Sequence, residues 1–531
     1  MTTTLPATAA SWAARLYRVW LVPVSLVLGV VLRTREWLFD KSLWLDELTI
    51  ASQLQSRSFA GLIKPLGGNQ GGPLGWLWAE KLSISIFGVH ELALRLPAWA
   101  ASIVALLVFP LVARRLVGPI ATPAATALVA TSPVLIYYSA ETKQYSSDTA
   151  CALLAILVTT LLLDRMPTWR TGPAWGLAAG LLAWFSQPTI LVVAACTAVL
   201  VLRWSRTRSA WAPVAVGVVV LVASLGAEYV VTLRPLAANE ALQAYWQAYG
   251  GYPPAHATVF QTVHWSLRAG TAFTHAFLQI ALPVITLVLA LWGTITLFST
   301  RRLPAALLTM VALAAVAAAV TRHYPLAQRL ALYLVPLLLV LLCAGLGHAF
   351  EQPGSRALPR PWPLVTTTLV ALCLVVITAP AVSAGVTKLW RPDETTAGRQ
   401  AVQFVAEHQQ VGDAVVTDLW GRSSLRFYGQ RFGVRQTGTI AMRAAGAPCP
   451  TDAFSSLAGR QRVWLVLAHH PSNEPADREA VYASQFSARA TLVTSFAGAD
   501  AAAYLFDLRR PPAPPVAPLP SWLPGGCFTL G

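Results

Sequence analysis

The chain has 531 residues, of which 55% are hydrophobic and only 12% are charged. Soluble globular proteins carry about 25% charged residues, so this composition excludes an ordinary soluble protein and predicts a polytopic membrane protein. The net charge of +16 does not indicate a nucleic-acid-binding protein, because the basic residues stand in twos and threes at the ends of apolar runs.

Apolar runs of the length that a spanning helix needs, roughly 17–25 residues, recur along the chain. The sequence predicts eleven of them, and the first is expected to be an uncleaved anchor. The runs cover residues 15–33, 97–114, 119–138, 149–164, 172–186, 188–203, 211–232, 273–299, 303–320, 329–349 and 362–386.

One further apolar run, residues 73–87, is short and carries Glu80 and Lys81. If this run spans the membrane, every basic cluster that follows it lies on the outer side. If it lies along the membrane surface, all the basic clusters between helices fall on the cytoplasmic side, as the positive-inside rule requires. The sequence therefore predicts an amphipathic juxtamembrane helix at 73–87 and a bacterial plasma-membrane protein whose C-terminal region is extracytoplasmic.

The C-terminal region has a different composition. Alternating helix-like and strand-like stretches predict an α/β domain over 388–510, after a membrane module over 1–387 whose first outer loop is 34–96. Residues 511–531 form a Pro-rich tail. The sequence leaves open whether Cys449 and Cys527 form a disulfide. It also leaves open whether the strand-end residues Asp418, His469 and His470 bind a ligand or are simply solvated.

Two adjacent acids, Asp46 and Glu47, stand in the apolar stretch SLWLDELTIA, residues 42–51, of the first outer loop. One interpretation is that they begin a helix, where acids favour the helix dipole. The other is that a carboxylate at the membrane surface acts as a general base or binds a metal ion. An ionisable residue near bilayer depth is a candidate functional residue.

A second polar segment, SAETKQYSSD at 139–148, joins two predicted spans. It holds both signs of charge and a tyrosine, in Glu141, Lys143, Gln144, Tyr145 and Asp148. A solvated turn needs fewer polar residues than this. The alternative is an anion site in which Lys143 holds a phosphate and Tyr138 or Tyr145 donates a hydrogen bond.

A third polar segment, TRHYPLAQR at 321–329, contains Arg322, His323, Tyr324 and Arg329. Its positive charge falls on the predicted outer face, against the charge pattern of the other loops. Contact with anionic lipid headgroups is one explanation. A lipid-linked phosphate bound bidentately by arginine is the other.

Five stretches together, in this order, resemble the GT-C glycosyltransferases, specifically the bacterial relatives of protein O-mannosyltransferases and the aminoarabinose transferase of lipid A (glycosyltransferase family 39-like). The resemblance covers about residues 10–390. The stretches are LWLDE (43–47), GGPLGWLW (71–78), FGVHELALRLPAW (87–99), TSPVLIYYSAETKQYSSD (131–148) and YPLAQRLALYLVP (324–336).

The resemblance implies a GT-C fold of about eleven spanning helices and inverting transfer of a sugar from a polyprenyl-phosphate donor on the outer face. The acceptor would be a hydroxyl of an envelope glycan, lipid or protein. Asp46 is implied to be the base, with Glu47 assisting and Arg329 binding the donor phosphate. The other phosphate-binding candidates are Lys143, Arg322, Tyr324 and Tyr145, and Glu141, Asp148, His323 and Gln144 are further site candidates.

The chain departs from the pattern of these relatives at Gly72, which stands where they carry histidine before Pro73. The first loop also lacks a D-x-D-type metal signature. The sequence therefore leaves metal use open: if Mg²⁺ or Mn²⁺ takes part, Asp46, Glu141 or Asp148 would be its ligands.

Three other functions are compatible with the sequence. A transporter or flippase of lipid-linked saccharides should bury acids and arginines within helices and show inverted halves. A ligase or polymerase of lipid-linked glycans would share the fold and differ only in substrate. A catalytically inactive scaffold would tolerate loss of Asp46.

Overall fold

The computed structural model describes residues 17, 19–205, 207–351, 361–392, 394–418, 420–441, 457, 459–469, 490–509 and 529–530, together with 479, 483, 486 and 487. The chain divides into two compact units. The helical unit comprises Met1–Phe39 and Arg57–Pro392, and the α/β unit comprises Asp40–Ser56 and Asp393–Gly531. The α/β unit thus includes a short segment from the first predicted outer loop, in addition to the C-terminal region.

The helical unit is built almost entirely of α-helices joined by short turns. Its main helices are α1 (Leu21–Leu38), α3 (Leu74–Phe87), α4 (Glu91–Thr131), α5 (Tyr145–Leu162), α6 (Thr171–Phe185), α7 (Thr189–Trp204), α8 (Trp211–Glu228), α9 (Glu240–Ala248), α10 (Val259–Ala272), α11 (Pro283–Thr300), α12 (Arg302–Val320), α13 (Val335–Glu351) and α14 (Pro361–Thr387).

Six helical segments among the described residues are long and apolar enough to cross a membrane, and two shorter apolar helices lie at Thr189–Trp204 and Ala371–Thr387. The polytopic helical architecture is therefore confirmed, while the count of eleven spans stays a prediction. One helix differs from the sequence prediction: α4 runs for 41 residues and covers parts of two predicted spans. The two parts meet at Gly118, whose φ of 79° is not helical.

The run at 73–87 forms the helix α3. It starts after Pro73, which has extended backbone angles, and ends at Gly88, whose φ of +89° favours glycine. Trp78, Leu82 and Ile86 are exposed at a spacing of four residues, so they form one apolar stripe. An exposed apolar stripe on a short helix is typical of a helix that lies in the lipid headgroup layer.

Helices α6 and α8 approach closely along a line of small residues. A Cβ added to Gly176 would lie 2.0 Å from the Gly217 carbonyl oxygen, and one added to Gly172 would lie 2.2 Å from the Pro213 carbonyl oxygen. In the next turn, Gly180 faces Ser224. Backbones meet this closely in membrane proteins where small residues leave room for them.

The α/β unit contains α2 (Leu45–Ser56), α15 (Gly398–His408), α16 (Gly421–Phe432) and a mixed sheet of six strands. The sheet order is β4-β5-β3-β1-β2-β6. β1 pairs in parallel with β2 and β3, and the remaining pairs are antiparallel. The strands are β1 (Ala414–Asp418), β2 (Gly438–Ala441), β3 (Arg462–Ala468), β4 (Thr491–Ala497), β5 (Ala501–Asp507) and β6 (Thr529–Leu530).

The predicted C-terminal sheet domain is therefore present, with two additions. β2 was not expected, and β6 lies inside the predicted Pro-rich tail, where Leu530 pairs with Ile440. The core beneath the sheet is formed by buried side chains such as Val416, Leu465 and Phe506. Cys449, Cys527 and His470 lie outside the described residues.

We expect Gly176→Ala to destabilise the protein, because the new methyl group overlaps a backbone carbonyl that cannot move alone. Overpacking of this kind costs about 1–3 kcal/mol. The measurement is the thermal unfolding midpoint in detergent or nanodiscs. Gly226→Ala in α8 is the matched control, since nothing lies within 4 Å of its added Cβ, and it should be neutral or stabilising. Equal midpoints for the two variants would contradict the close helix contact.

Candidate functional site

The turn between α4 and α5 carries charged side chains that are withdrawn from solvent. Glu141 is 3% exposed, Lys143 is 4% exposed and Asp148 is 2% exposed. The turn is formed by a short helix at Pro133–Tyr137 and a 3₁₀ turn at Tyr138–Ala140 before α5 begins. A solvated turn would expose these groups. Burial of both signs of charge instead requires specific polar partners.

Lys143 has such a partner in Gln70, which lies just before the GGPLGWLW stretch. The Lys143 Nζ donates a hydrogen bond of 2.6 Å to the Gln70 Oε1. The Ser186 side chain at the end of α6 lies close enough to Asp148 to influence its carboxylate. The second polar segment therefore has neighbours in two other parts of the helical unit. Sequence reasoning did not identify Gln70 or Ser186.

Arg329 lies against two aromatic rings. Its guanidinium carbon is 5.9 Å from the centroid of the Tyr145 ring and 5.7 Å from that of Trp246. Cation–π contacts of this kind hold a guanidinium without neutralising it. The structure thus brings together Arg329 and Tyr145, which the sequence placed in different segments. Trp246 was not among the predicted residues, although the loop at 233–272 is rich in tyrosine and tryptophan.

The Tyr138 hydroxyl lies near the charges of both Glu141 and Arg329. The Tyr138 ring packs edge-on against Tyr145, with centroids 5.2 Å apart. Burial raises the pKa of the Tyr138 hydroxyl above its usual range, and the Glu141 carboxylate raises it further, while the Arg329 guanidinium acts in the opposite direction. Glu141 and Arg329 are therefore both close enough to influence the same hydroxyl, which remains a hydrogen-bond donor at neutral pH.

The rest of the third polar segment takes other positions. Arg322 is exposed, donates a hydrogen bond of 2.9 Å to Gln247 Oε1 and lies over the Tyr252 ring. His323 is exposed. The Tyr324 hydroxyl donates to the Leu330 carbonyl, and burial raises its pKa well above the usual value. Phosphate binding by these three residues stays a prediction.

A cleft lies beside Gln70 in the helical unit. Its empty volume is about 530 Å³, part of it open to solvent. Its wall combines aliphatic side chains, such as Leu66, Leu77 and Leu236, with polar groups from Lys64 and Gln187. Since Gln70 lines the cleft and also binds Lys143, an apolar surface and a buried cation adjoin each other here.

Asp46 and Glu47 lie in the α/β unit, at the start of α2. Glu47 is buried, and its Oε2 accepts the Trp44 backbone N–H at 2.9 Å. This bond satisfies one of the donors that a helix start leaves unpaired. Asp46 is partly exposed. The two adjacent acids therefore have different environments. Glu47 is buried and stabilises the start of the helix, whereas Asp46 is more exposed to solvent.

The described residues contain no group of three or more histidine, cysteine, aspartate or glutamate side chains arranged to hold a metal ion. A Mg²⁺ or Mn²⁺ requirement, with Asp46, Glu141 or Asp148 as ligands, stays a prediction from the sequence.

Residues 72–226 match the family described as dolichyl-phosphate-mannose-protein mannosyltransferase. The matched range includes α3 and the turn with Lys143. No curated protein matches the chain at a significant level.

Solved structures are similar over nearly the whole chain. ArnT from Cupriavidus metallidurans in the apo state is 15% identical with a TM-score of 0.51, and 94% of this chain and 98% of that one are covered. The same protein bound to undecaprenyl phosphate is 16% identical with a TM-score of 0.50, covering 93% and 98%. The oligosaccharyltransferase AglB from Archaeoglobus fulgidus, in complex with an inhibitory peptide and a dolichol-phosphate, is 12% identical with a TM-score of 0.51, covering 93% of this chain and 74% of AglB.

These similarities define the class of the protein, which is a multi-pass membrane protein with the GT-C fold of membrane glycosyltransferases. Within that class it is similar to the protein mannosyltransferases and to ArnT. The fold expected from the five sequence stretches is thereby confirmed.

We expect Glu47→Ala to loosen the start of α2, because the Trp44 N–H loses its acceptor. Loss of a helix-start cap costs about 1 kcal/mol. Hydrogen exchange of the peptide around residues 44–50 should accelerate by about fivefold in this variant. Glu47→Gln is the matched control, since its amide oxygen can accept the same bond, and it should exchange like the wild type. Equal acceleration in both variants would show that the charge of Glu47 matters and that the cap does not.

Proposed function

We propose that the protein is a glycosyltransferase that moves a sugar from a polyprenyl-phosphate donor to a hydroxyl of an envelope glycan, lipid or protein. It would act on the extracytoplasmic face of a bacterial plasma membrane, with inversion at the anomeric carbon. The observation that carries the proposal is the buried Lys143, bound to Gln70 beside a cleft that is lined in part by aliphatic side chains. A phosphate at the end of a hydrocarbon chain needs this combination of cation and apolar surface.

Two similar proteins support the donor class. ArnT is known with undecaprenyl phosphate bound, and AglB with a dolichol-phosphate bound, so both accept a lipid-linked phosphate. The family matched at 72–226 is named for a dolichyl-phosphate sugar donor. Arg329 adds a second cation, and its guanidinium has the fork geometry that suits phosphate oxygens. AglB is known with an inhibitory peptide bound, and the acceptor of this chain stays open between protein, lipid and glycan.

The proposed reaction is a single displacement. Asp46 takes the proton of the acceptor hydroxyl as its oxygen forms a bond to the anomeric carbon. The bond between that carbon and the phosphate oxygen breaks, and the lipid phosphate leaves with the electron pair. Lys143 and Arg329 stabilise the negative charge that develops on the leaving oxygen. In this account Glu47 supports Asp46 by fixing the first turn of α2.

A second candidate, transport of lipid-linked saccharides, has one observation in its favour. Glu228, near the end of α8, is fully buried, and its carboxyl oxygens have no hydrogen-bond partner among the described residues. Charged side chains are also buried in other helices, among them Arg33 and Glu36 in α1 and Arg95 in α4. Arg33 bonds to the carbonyls of Val129 and Ala130 and so joins α1 to α4.

We expect Asp46→Asn to lower kcat by about 10³-fold or more with a small change in KM, because only the base is lost. Lys143→Met and Arg329→Lys should raise KM for the donor by about 10- to 100-fold. The assay uses purified protein in nanodiscs with synthetic polyprenyl-phosphate sugars and a panel of acceptors, and NMR identifies the product anomer.

Lys81→Met on α3 is the matched control for Lys143→Met and should keep wild-type kinetics. A product that retains the donor's anomeric configuration would contradict single displacement. Donor movement across vesicles without any glycoside product would instead support transport, and in that case Glu228→Gln should abolish the movement.

A further inference from the structure

The segment Asp40–Ser56 packs on the C-terminal part of the α/β unit, although more than 330 residues separate the two in sequence. Its apolar side is completely buried. Leu43, Leu48, Ile50, Ala51 and Leu54 have no exposed surface. Such burial contributes about 1.5–3 kcal/mol for each leucine or isoleucine side chain, so the segment is firmly attached.

Polar contacts fix the chain as it enters the segment. The Arg399 guanidinium donates to the Asp40 carboxylate at 2.7 Å and to the Asp40 carbonyl at 2.5 Å. The Ser42 hydroxyl donates to Gln400 Oε1 at 2.6 Å and accepts the Arg399 backbone N–H at 3.2 Å. Residues at the start of α15 therefore fix Asp40 and Ser42, which lead into the backbone of α2.

The next two residues contact the other side of the domain. The Leu43 backbone N–H donates to the hydroxyl of Tyr428 in α16 at 2.8 Å, and Tyr428 is fully buried. The Trp44 ring meets the His469 ring edge-on, with centroids 5.4 Å apart. Leu43 and Trp44 immediately precede the turn that carries Asp46 and Glu47.

His469 is itself held in place. Its Nε2 lies 2.7 Å from the Ser424 hydroxyl oxygen, and its Nδ1 lies 3.6 Å from the Asp500 carboxylate. Serine, histidine and aspartate can form a nucleophilic triad. Here, however, Ser424 is fully buried and His469 is 1% exposed, so a substrate cannot reach them. The arrangement is a brace for the His469 ring, which supports Trp44.

We propose that the C-terminal α/β domain positions the general base, and that Tyr428 and His469 are positioning residues that act through Leu43 and Trp44 on Asp46. The inference rests on the proposed function for the role of Asp46, but not for the contacts themselves. A displacement of about 1 Å of a catalytic group can lower the rate about 100-fold. The contacts between the domain and residues 40–56 would therefore affect kcat.

The test compares Tyr428→Phe and His469→Asn with a control. Phenylalanine removes only the hydroxyl that binds Leu43. Asparagine suits the left-handed backbone of His469, whose φ is +62°, and removes the ring beneath Trp44. Tyr504→Phe is the matched control, because the Tyr504 hydroxyl bonds to Glu479, which lies in the same domain and outside the segment.

Three measurements, which are enzyme kinetics, thermal unfolding and hydrogen exchange, separate positioning from general damage. We expect both variants to lower kcat by about 10- to 100-fold, to leave KM for the donor within twofold, and to keep the unfolding midpoint within a few degrees. Hydrogen exchange of residues 40–56 should accelerate in both variants. Tyr504→Phe should match the wild type in all three measurements.

A double-mutant cycle with Asp46→Asn decides the mechanism. If Tyr428 acts through Asp46, Tyr428→Phe should cause no further loss in the Asp46→Asn background. Additive losses, unchanged kcat, or an activity loss that follows the unfolding midpoint would overturn the proposal. If the wild type transfers no sugar, the proposed function fails. The hydrogen-exchange comparison then stands alone, and unchanged exchange of residues 40–56 would overturn the positioning claim.

Discussion

The burial of charge is the constraint on which the candidate site depends. In a chain with so few charged residues, the helical unit withdraws the charges of Glu141, Lys143 and Asp148 from solvent. An unpaired buried charge costs several kcal/mol, so each must be compensated. The compensation of Lys143 comes from Gln70, and that of Arg329 includes two aromatic rings. Under the proposed function, these pre-organised cations would bind a phosphate with little rearrangement.

The α/β unit places a different demand on the chain. Its sheet and its other helices come from residues after 393, whereas the segment 40–56 with α2 comes from near the opposite end of the sequence. In the sequence, the segment lies between two helices of the helical unit, α1 and α3, and it carries the acids proposed for catalysis. An appended domain that only recruited an acceptor would have no reason to bury Leu43 and to bind its backbone N–H.

Local patterns predicted much of this architecture. The helix at 74–87 follows from a proline start, a glycine end and an apolar stripe, and these signals are all local. The turn at 139–148 was identified because its charges exceed what a solvated turn needs. Arg329 was identified because positive charge stood where the other loops exclude it.

The sequence could not predict features that depend on contacts between distant residues. The Asp40–Arg399 ion pair spans 359 positions, and the Lys143–Gln70 bond spans 73. Pairing of Leu530 with Ile440 is equally remote from any local signal in the Pro-rich tail. The separation of Glu47, which caps α2, from Asp46 also required the structure, because both acids fit a helix start equally well in the sequence.

The central claim is that the protein consumes a polyprenyl-phosphate sugar through Asp46. Mass spectrometry of envelope glycans and of polyprenyl-phosphate sugars, in cells that lack the gene and are complemented with wild type or Asp46→Ala, tests it most directly. The account predicts that one polyprenyl-phosphate sugar accumulates and one envelope glycoform disappears, and that only the wild type reverses both changes. Identical profiles in deleted and complemented cells, or full rescue by Asp46→Ala, would contradict it.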